Sequence, residues 1–142
     1  GGSPDRFQPY VELYHKTAKQ FGHQIHPIGL HSPGFIADTD QEAIKQAFPL
    51  FKEAMDKIGK TRGWQPMARD HFLEEVKNGS MYVGSPETVA QKIARTLKVL
   101  GAKRFDLVYG FGPVPAETRV HMIELYAEKV IPRVREILAK ED

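Results

Sequence analysis

Only two segments of this chain read as β-strands, and the long helical stretches between them require those strands to be parallel. Residues 24–37 scatter Ile25, Ile28, Leu30, Phe35 and Ile36 among Pro27, Gly29, Pro33 and Gly34, which suits a strand at 27–31 continuing with a bend or bulge to Ile36. The second strand, Phe105-Asp106-Leu107-Val108-Tyr109, is short and apolar, and Gly110-Phe111-Gly112-Pro113 closes it. Parallel strands with helical crossovers define an α/β fold. A two-stranded parallel sheet, however, cannot bury both faces or close its edges. The sequence therefore predicts two adjacent strands joined by a right-handed crossover, with further strands supplied by sequence outside this chain.

The helices are punctuated clearly. Ser3-Pro4-Asp5 reads as a start, with Phe7, Tyr10, Val11, Tyr14, Ala18 and Phe21 at helical spacing before Gly22. Thr39 and Glu42 stand at capping-box spacing ahead of Ala43, Ile44, Ala47, Phe48, Phe51, Ala54, Met55 and Ile58, and Pro49 predicts a kink or split in that run. A polar loop at 60–66 and a short helical piece with Phe72, Leu73 and Val76 inward end at Asn78-Gly79. Ser85-Pro86-Glu87 opens a helix with Val89, Ile93, Leu97 and Leu100 inward and Gly101 at its stop. The last helix, over 115–138, has Val120, Ile123, Ala127 and Val130 as its expected buried stripe and a kink at Pro132.

Composition narrows the function classes. With 142 residues, 41% hydrophobic and 27% charged, the chain suits one globular domain. A formal net charge of +2 makes no case for nucleic acid or an anionic membrane as partner. No apolar run approaches the roughly 18 residues of a membrane span. The absence of cysteine removes disulfides, thiolate metal sites and cysteine nucleophiles, and suits a reducing cytoplasm. The opening Gly1-Gly2-Ser3 lacks a methionine, which fits a processed or cut chain.

Four segments carry a family resemblance. Tyr82-Val83-Gly84-Ser85-Pro86-Glu87-Thr88-Val89-Ala90-Gln91-Lys92-Ile93 resembles the hydrophobic-Gly-Ser/Thr-Pro-Glu-x-Val-Ala-x-x-Ile signature of luciferase-like, flavin-dependent oxidoreductases. The likeness continues through Leu100-Gly101 and the strand at 105–109. Glu128-Lys129-Val130-Ile131-Pro132-Arg133-Val134-Arg135 is similar to that family's Glu-x-Val-Ile-Pro-x-Leu-Arg ending, with Val134 as a departure. Gly34-Phe35-Ile36-Ala37-Asp38-Thr39-Asp40 resembles its strand-to-helix segment ahead of a variable insertion. The resemblance implies a TIM (β/α)8 barrel that binds reduced FMN, or in one branch the deazaflavin F420, at the carboxyl mouth of its strands. Such a barrel takes about 250 residues. Residues 1–142 would then be its C-terminal portion, the last strands and their helices with the N-terminal strands missing, and 60–80 an insertion covering the mouth.

The same resemblance nominates site residues at the strand ends. On the first strand these are His31, Ser32, Pro33 and Gly34. Alkanesulfonate-monooxygenase-type relatives carry a flavin-facing histidine there, and His31 or Pro33 aligns with it, both on one face of a regular strand. His31 is the catalytic candidate; a histidine hydrogen-bonded inside the barrel or partly solvated is the competing reading. On the second strand, Tyr109, Gly110 and Gly112 are cofactor-binding candidates, the glycines allowing close approach of ring or phosphate or simply making the turn. Gly2 and Ser3 would face phosphate at a helix N-terminus, or merely cap the helix. His23 and His26 read as loop residues with no metal partner, His15, His71 and His121 as surface or boundary residues, and Trp64 as a loop anchor or part of a lid.

Three functions follow from the resemblance. A larger parent would use reduced flavin and dioxygen, with a flavin reductase as partner, to oxygenate a small organic substrate, the isolated chain being inactive. Alternatively the chain is a non-catalytic flavin binder, or a unit that self-associates through exposed strand edges as a homo-oligomer. An F420-dependent oxidoreductase is the further variant.

Overall fold

Three parallel strands build the sheet, in the order β2-β1-β3, in a computed structural model that describes residues 2–140. They are β1 (Gly29–Ile36), β2 (Tyr82–Gly84) and β3 (Arg104–Val108). The helices are α1 (Pro4–Gln20), α2 (Asp40–Arg62), α3 (Arg69–Lys77), α4 (Pro86–Leu100), α5 (Ala116–Leu125) and α6 (Ile131–Ala139), with a π-helical turn (Tyr126–Val130) between the last two.

The expected adjacency of the first and last strands is borne out, since Gly29 to Pro33 pair in register with Arg104 to Val108. The expected continuation to Ile36 holds, but β1 starts at Gly29 as one unbroken strand and β3 is shifted one residue, to Arg104–Val108. The last three residues of β1, Gly34, Phe35 and Ile36, pair instead with Tyr82, Val83 and Gly84. Pro33 sits at this change of partner, where a strand tolerates a missing amide proton best. The third strand, β2, escaped the sequence reading. It is three residues long and wholly buried, so it shows no alternation of polar and apolar positions.

One face of the sheet is covered along its length, the other only over β2 and the end of β1, leaving His31, Arg104 and Asp106 exposed. Ile36, Tyr82, Phe105 and Leu107 pack with Val89, Ile93, Leu125, Val130 and Val134 on the side of α4 and α6. Phe35 and Val83, one residue out of phase, pack with Ala43, Ala47, Phe51 and Phe72 on the side of α2 and α3.

Prolines act differently in the two long helices. α2 is a single helix of 23 residues with Pro49 inside it, so the predicted split does not occur. Pro49 and Lys45 four residues before it are both exposed, and water can satisfy the carbonyl that the proline leaves unpaired. The N-cap prediction holds: Thr39 accepts from the Glu42 amide at 3.2 Å. In the last helix Pro132 cannot donate to the fourth residue before it, and the wider π turn precedes it directly. That turn inserts one residue and rotates the buried stripe. Val130 is buried as predicted, with Met122, Leu125 and Val134, whereas Val120, Ile123 and Ala127 are exposed, which corrects the rest of the predicted stripe.

Candidate functional site

The segments that carry the family motifs meet at the N-terminus of α4. β1 ends at Ile36, and the chain turns through Ala37-Asp38-Thr39 to Asp40, whose carboxylate accepts from the Ser85 amide at 2.7 Å and the Thr88 hydroxyl at 3.0 Å. The Ser85 amide holds the Asp40 carboxyl below its ordinary range. Ser85 also caps its own helix, its Oγ accepting from the Thr88 amide at 3.4 Å. Glu87 then receives a two-pronged pair from Arg133 of α6 at 2.9 and 3.0 Å, with Gln91 donating at 2.9 Å. Those hydrogen bonds hold the Glu87 carboxyl at about 2. Three motif segments far apart in sequence are thereby tied into one network, and the positive end of the α4 dipole is filled by the protein's own carboxylates.

Lys92 extends this network to the segment expected to cover the mouth. Its Nζ donates to the carbonyls of Glu75 (3.1 Å), Val76 (2.8 Å) and Met81 (2.6 Å), where α3 ends and β2 approaches, and lies 4.6 Å from the Tyr82 ring centroid. Burial pulls its pKa down to about 8, against the opposing charge of Glu75 and with that of Arg95. The unfolded chain keeps this proton up to the ordinary value of 10.5, so between the two values the folded state binds fewer protons and stability rises with pH. Lys92→Met abolishes the rise. The native chain is expected to gain on the variant by up to roughly 2 kcal/mol across the window, discounted for partial solvent access. Denaturant titrations on either side of the window measure it; native stability, taken relative to the variant, that stays flat or falls as pH rises refutes the assignment.

The residues nominated from sequence are placed apart. His31 is the third residue of β1, level with Asp106 of β3, and not at the strand's carboxyl end. It is exposed and lines a cleft of about 640 Å³ together with Phe7, Tyr10, Tyr14 and Leu30. Tyr109 and Gly110 line a different cleft of about 550 Å³ beside Val120 and Ile123 of α5, and the two clefts share no lining residue. Gly112 packs on α2. Its φ of +88° is left-handed, and a Cβ there would lie 2.8 Å from the Leu50 carbonyl oxygen, so close packing alone requires glycine.

Gly2 and Ser3 precede α1, and the Ser3 side chain makes no cap hydrogen bond although it stands at the N-cap position. Neither residue lines either of those clefts. Gly1, which precedes them, lies outside the described residues. Trp64 is exposed with the Arg62 guanidinium 5.0 Å from its ring, and the His26 amide donates to the Tyr14 hydroxyl at 3.0 Å.

A further pairing escaped the sequence reading. His121 Nε2 lies 3.1 Å from Asp38 Oδ1, just beyond the end of β1, where an exposed imidazole meets an exposed carboxylate. Asp38 two residues after a strand was the available signal; its partner 83 residues on was not. Among the described residues no helix is long and apolar enough to cross a membrane.

Helices on both faces of a small parallel sheet make this an α/β fold, and solved structures share it. The chain is similar to monooxygenase RslO1 from Streptomyces bottropensis, with a TM-score of 0.75 and 20% identity over 91% of this chain and 38% of that one. It is also similar to the oxygenating constituent of 3,6-diketocamphane monooxygenase from the CAM plasmid of Pseudomonas putida, a type II Baeyer-Villiger monooxygenase in complex with FMN (TM-score 0.62, 24% identity, 94% of this chain and 41% of that one). A third is the coenzyme F420 dependent tetrahydromethanopterin reductase from Methanopyrus kandleri (TM-score 0.61, 19% identity, 94% and 44%). The chain thus spans about two-fifths of the length of these proteins. No protein-family model and no curated protein matches the sequence. The resemblance to luciferase-like oxidoreductases is borne out as a likeness of fold.

Proposed function

We propose that this chain is the C-terminal part of a luciferase-like, flavin-dependent oxidoreductase, and that oxygenation of a small organic substrate belongs to a larger parent. The observation that carries the reading is the fold shared over 91–95% of the chain with three monooxygenases, one of them in complex with FMN, and a coenzyme F420 dependent reductase. In this reading β1, β2 and β3 are the last strands of a (β/α)8 barrel and 60–80 lies over its mouth. The β2-β1-β3 order departs from simple succession around such a barrel, and strands preceding α1 would have to supply the missing neighbours.

The cofactor in this proposal is reduced FMN, with F420 as the alternative, and a flavin reductase is the implied partner. A bound reduced flavin would supply the electrons that activate dioxygen. The residues nominated to hold it do not fit as they stand, because His31, the Tyr109–Gly110 pair and Gly2–Ser3 fail to converge on one pocket. No chemical step is assigned to them in the isolated chain. Of the two Ser-Pro helix starts, the one at α4 is filled by Asp40, and the uncapped Ser3 leaves the start of α1 as the better seat for phosphate. The chain is proposed to act in the cytoplasm.

Titration with oxidised and reduced FMN and with F420, read by flavin fluorescence, tests this. The isolated chain is expected to bind at best weakly, and the parent to bind tightly and oxidise reduced FMN. A parent that leaves both cofactors unperturbed would overturn the proposal, and binding of F420 alone would replace oxygenation by hydride transfer. The free edge of β3 favours a second reading for the chain on its own, self-association.

A further inference from the structure

We infer that Lys92 is a latch: it fastens the segment 67–81 to the frame of the sheet, and its release lets that segment swing away from the carboxyl ends of β1 and β2. That the segment covers a barrel mouth rests on the function proposed above, whereas the latch is carried by contacts within this chain. The segment lies as a strap. Met67, Phe72 and Met81 pack with Phe35 and Val83 at those strand ends. Of the nine residues of α3 only Phe72 is buried, flanked by the partly buried Leu73 and Val76, and no side chain caps the helix at Ala68. A helix held by one ring and two flanks belongs to the parts of a fold that open at less cost than global unfolding.

The strap is fastened at both ends. At the first, the Met67 amide donates to Asp56 Oδ1 at 2.7 Å, and Lys52 Nζ donates to the Met67 carbonyl at 3.1 Å, both partners lying on α2. At the second, Lys92 joins strap to frame. The Glu75 and Val76 carbonyls that it binds belong to the strap, whereas the Met81 carbonyl adjoins β2, which pairs with β1. An ammonium group carries three protons and no acceptor, and three carbonyls take them, so the head matches its seat. The Val76 carbonyl needs this donor. The Ser80 amide, four residues on, turns instead to Glu75 Oε2 at 2.9 Å. A cation also suits the negative C-terminal end of α3. The released head has somewhere to go, because Lys92 lines a cleft of about 480 Å³ together with Asp40, Gln91 and Arg95.

The test is amide hydrogen exchange of the full chain without flavin, resolved by segment over a series of low denaturant concentrations, for wild type and Lys92→Met. Circular dichroism checks that the variant remains folded. In wild type the amides of 72–80 are expected to exchange through an opening that costs less than the global unfolding reported by β1. Lys92→Met keeps an apolar stem and loses all three donors. Protection over 72–80 should therefore fall at least roughly ten-fold, while the local openings of α1 and α6, which leave the latch closed, stay as in wild type. Wild-type amides of 72–80 that exchange only with global unfolding overturn the strap and its latch, whether or not the variant folds. Protection there that ignores Lys92→Met overturns the latch, and so does a loss spread evenly over the strap, α1 and α6. No cofactor enters this measurement, so the latch and the flavin reading can fail separately.

Discussion

Replacing Phe51 by alanine is expected to lower stability by about 3–5 kcal/mol, a large share of what a domain of this size possesses. Phe51 is fully buried on the inner stripe of α2, with Ala47 and Ala43 one and two turns before it. Its ring centroid lies 5.9 Å from that of Phe72 in α3 and 5.0 Å from that of Phe111, and Phe72 in turn meets Phe48 at 5.3 Å. Removing the middle ring opens a cavity that two helices and a loop line together, and a helix of 23 residues cannot bend inward to fill it. The consequence reaches the candidate site. Phe111 stands between Gly110 and Gly112, so losing its partner frees the turn that carries both glycines. Denaturant unfolding should show the loss, and amide exchange at 110–114 should quicken more than exchange in α4. A loss below about 1 kcal/mol would mean that this cluster is not the core of the α2 face.

Much of this architecture was legible because local chemistry declares it. Thr39 with Glu42, Ser85 with Thr88 and the left-handed Gly101 act where capping rules place them, whereas Gly63, read as part of a polar loop at 60–66, ends α2 at Arg62. What stayed hidden depends on distant partners. Pro33 and Gly34 look like strand breakers in isolation, yet the strand continues through them because it exchanges β3 for β2 at that point. The stripe of the last helix was misread because a constant period of 3.6 residues assumes an unbroken helix, and the π turn before Pro132 shifts the phase by one. At the site, the motifs were legible as patterns but their roles were not. Asp40, Glu87 and Arg133 lock helix ends together. No spacing rule links residue 40 to residue 85, or 87 to 133. Gly112 illustrates the converse case: a glycine that suits a cofactor or a turn equally well in sequence is required by the Leu50 carbonyl in the fold.

Gly34→Val is expected to cost about 3 kcal/mol or more, and Gly34→Ala most of that, because the obstruction begins at Cβ. A Cβ on Gly34 would overlap Leu107 Cδ1 and stand 2.6 Å from the Tyr82 carbonyl oxygen. A leucine methyl can rotate away, but the carbonyl belongs to β2, whose Tyr82 is the register partner of Gly34. Relief therefore means prising β2 from β1 at the residue where their ladder starts. β2 leads directly into Ser85 and Glu87, so the same displacement strains the Asp40 and Arg133 contacts at the start of α4. Gly110 supplies the control, since nothing lies within 4 Å of a Cβ built there and its φ is not left-handed. Gly110→Ala should change stability by no more than about 0.5 kcal/mol. Chemical denaturation of the three variants should rank them Gly110→Ala, Gly34→Ala, Gly34→Val in rising cost. If Gly34→Ala matched the native chain, the close approach of β2 to β1 would be wrong. The proposed placement of the motif segments at one end of the sheet would fall with it.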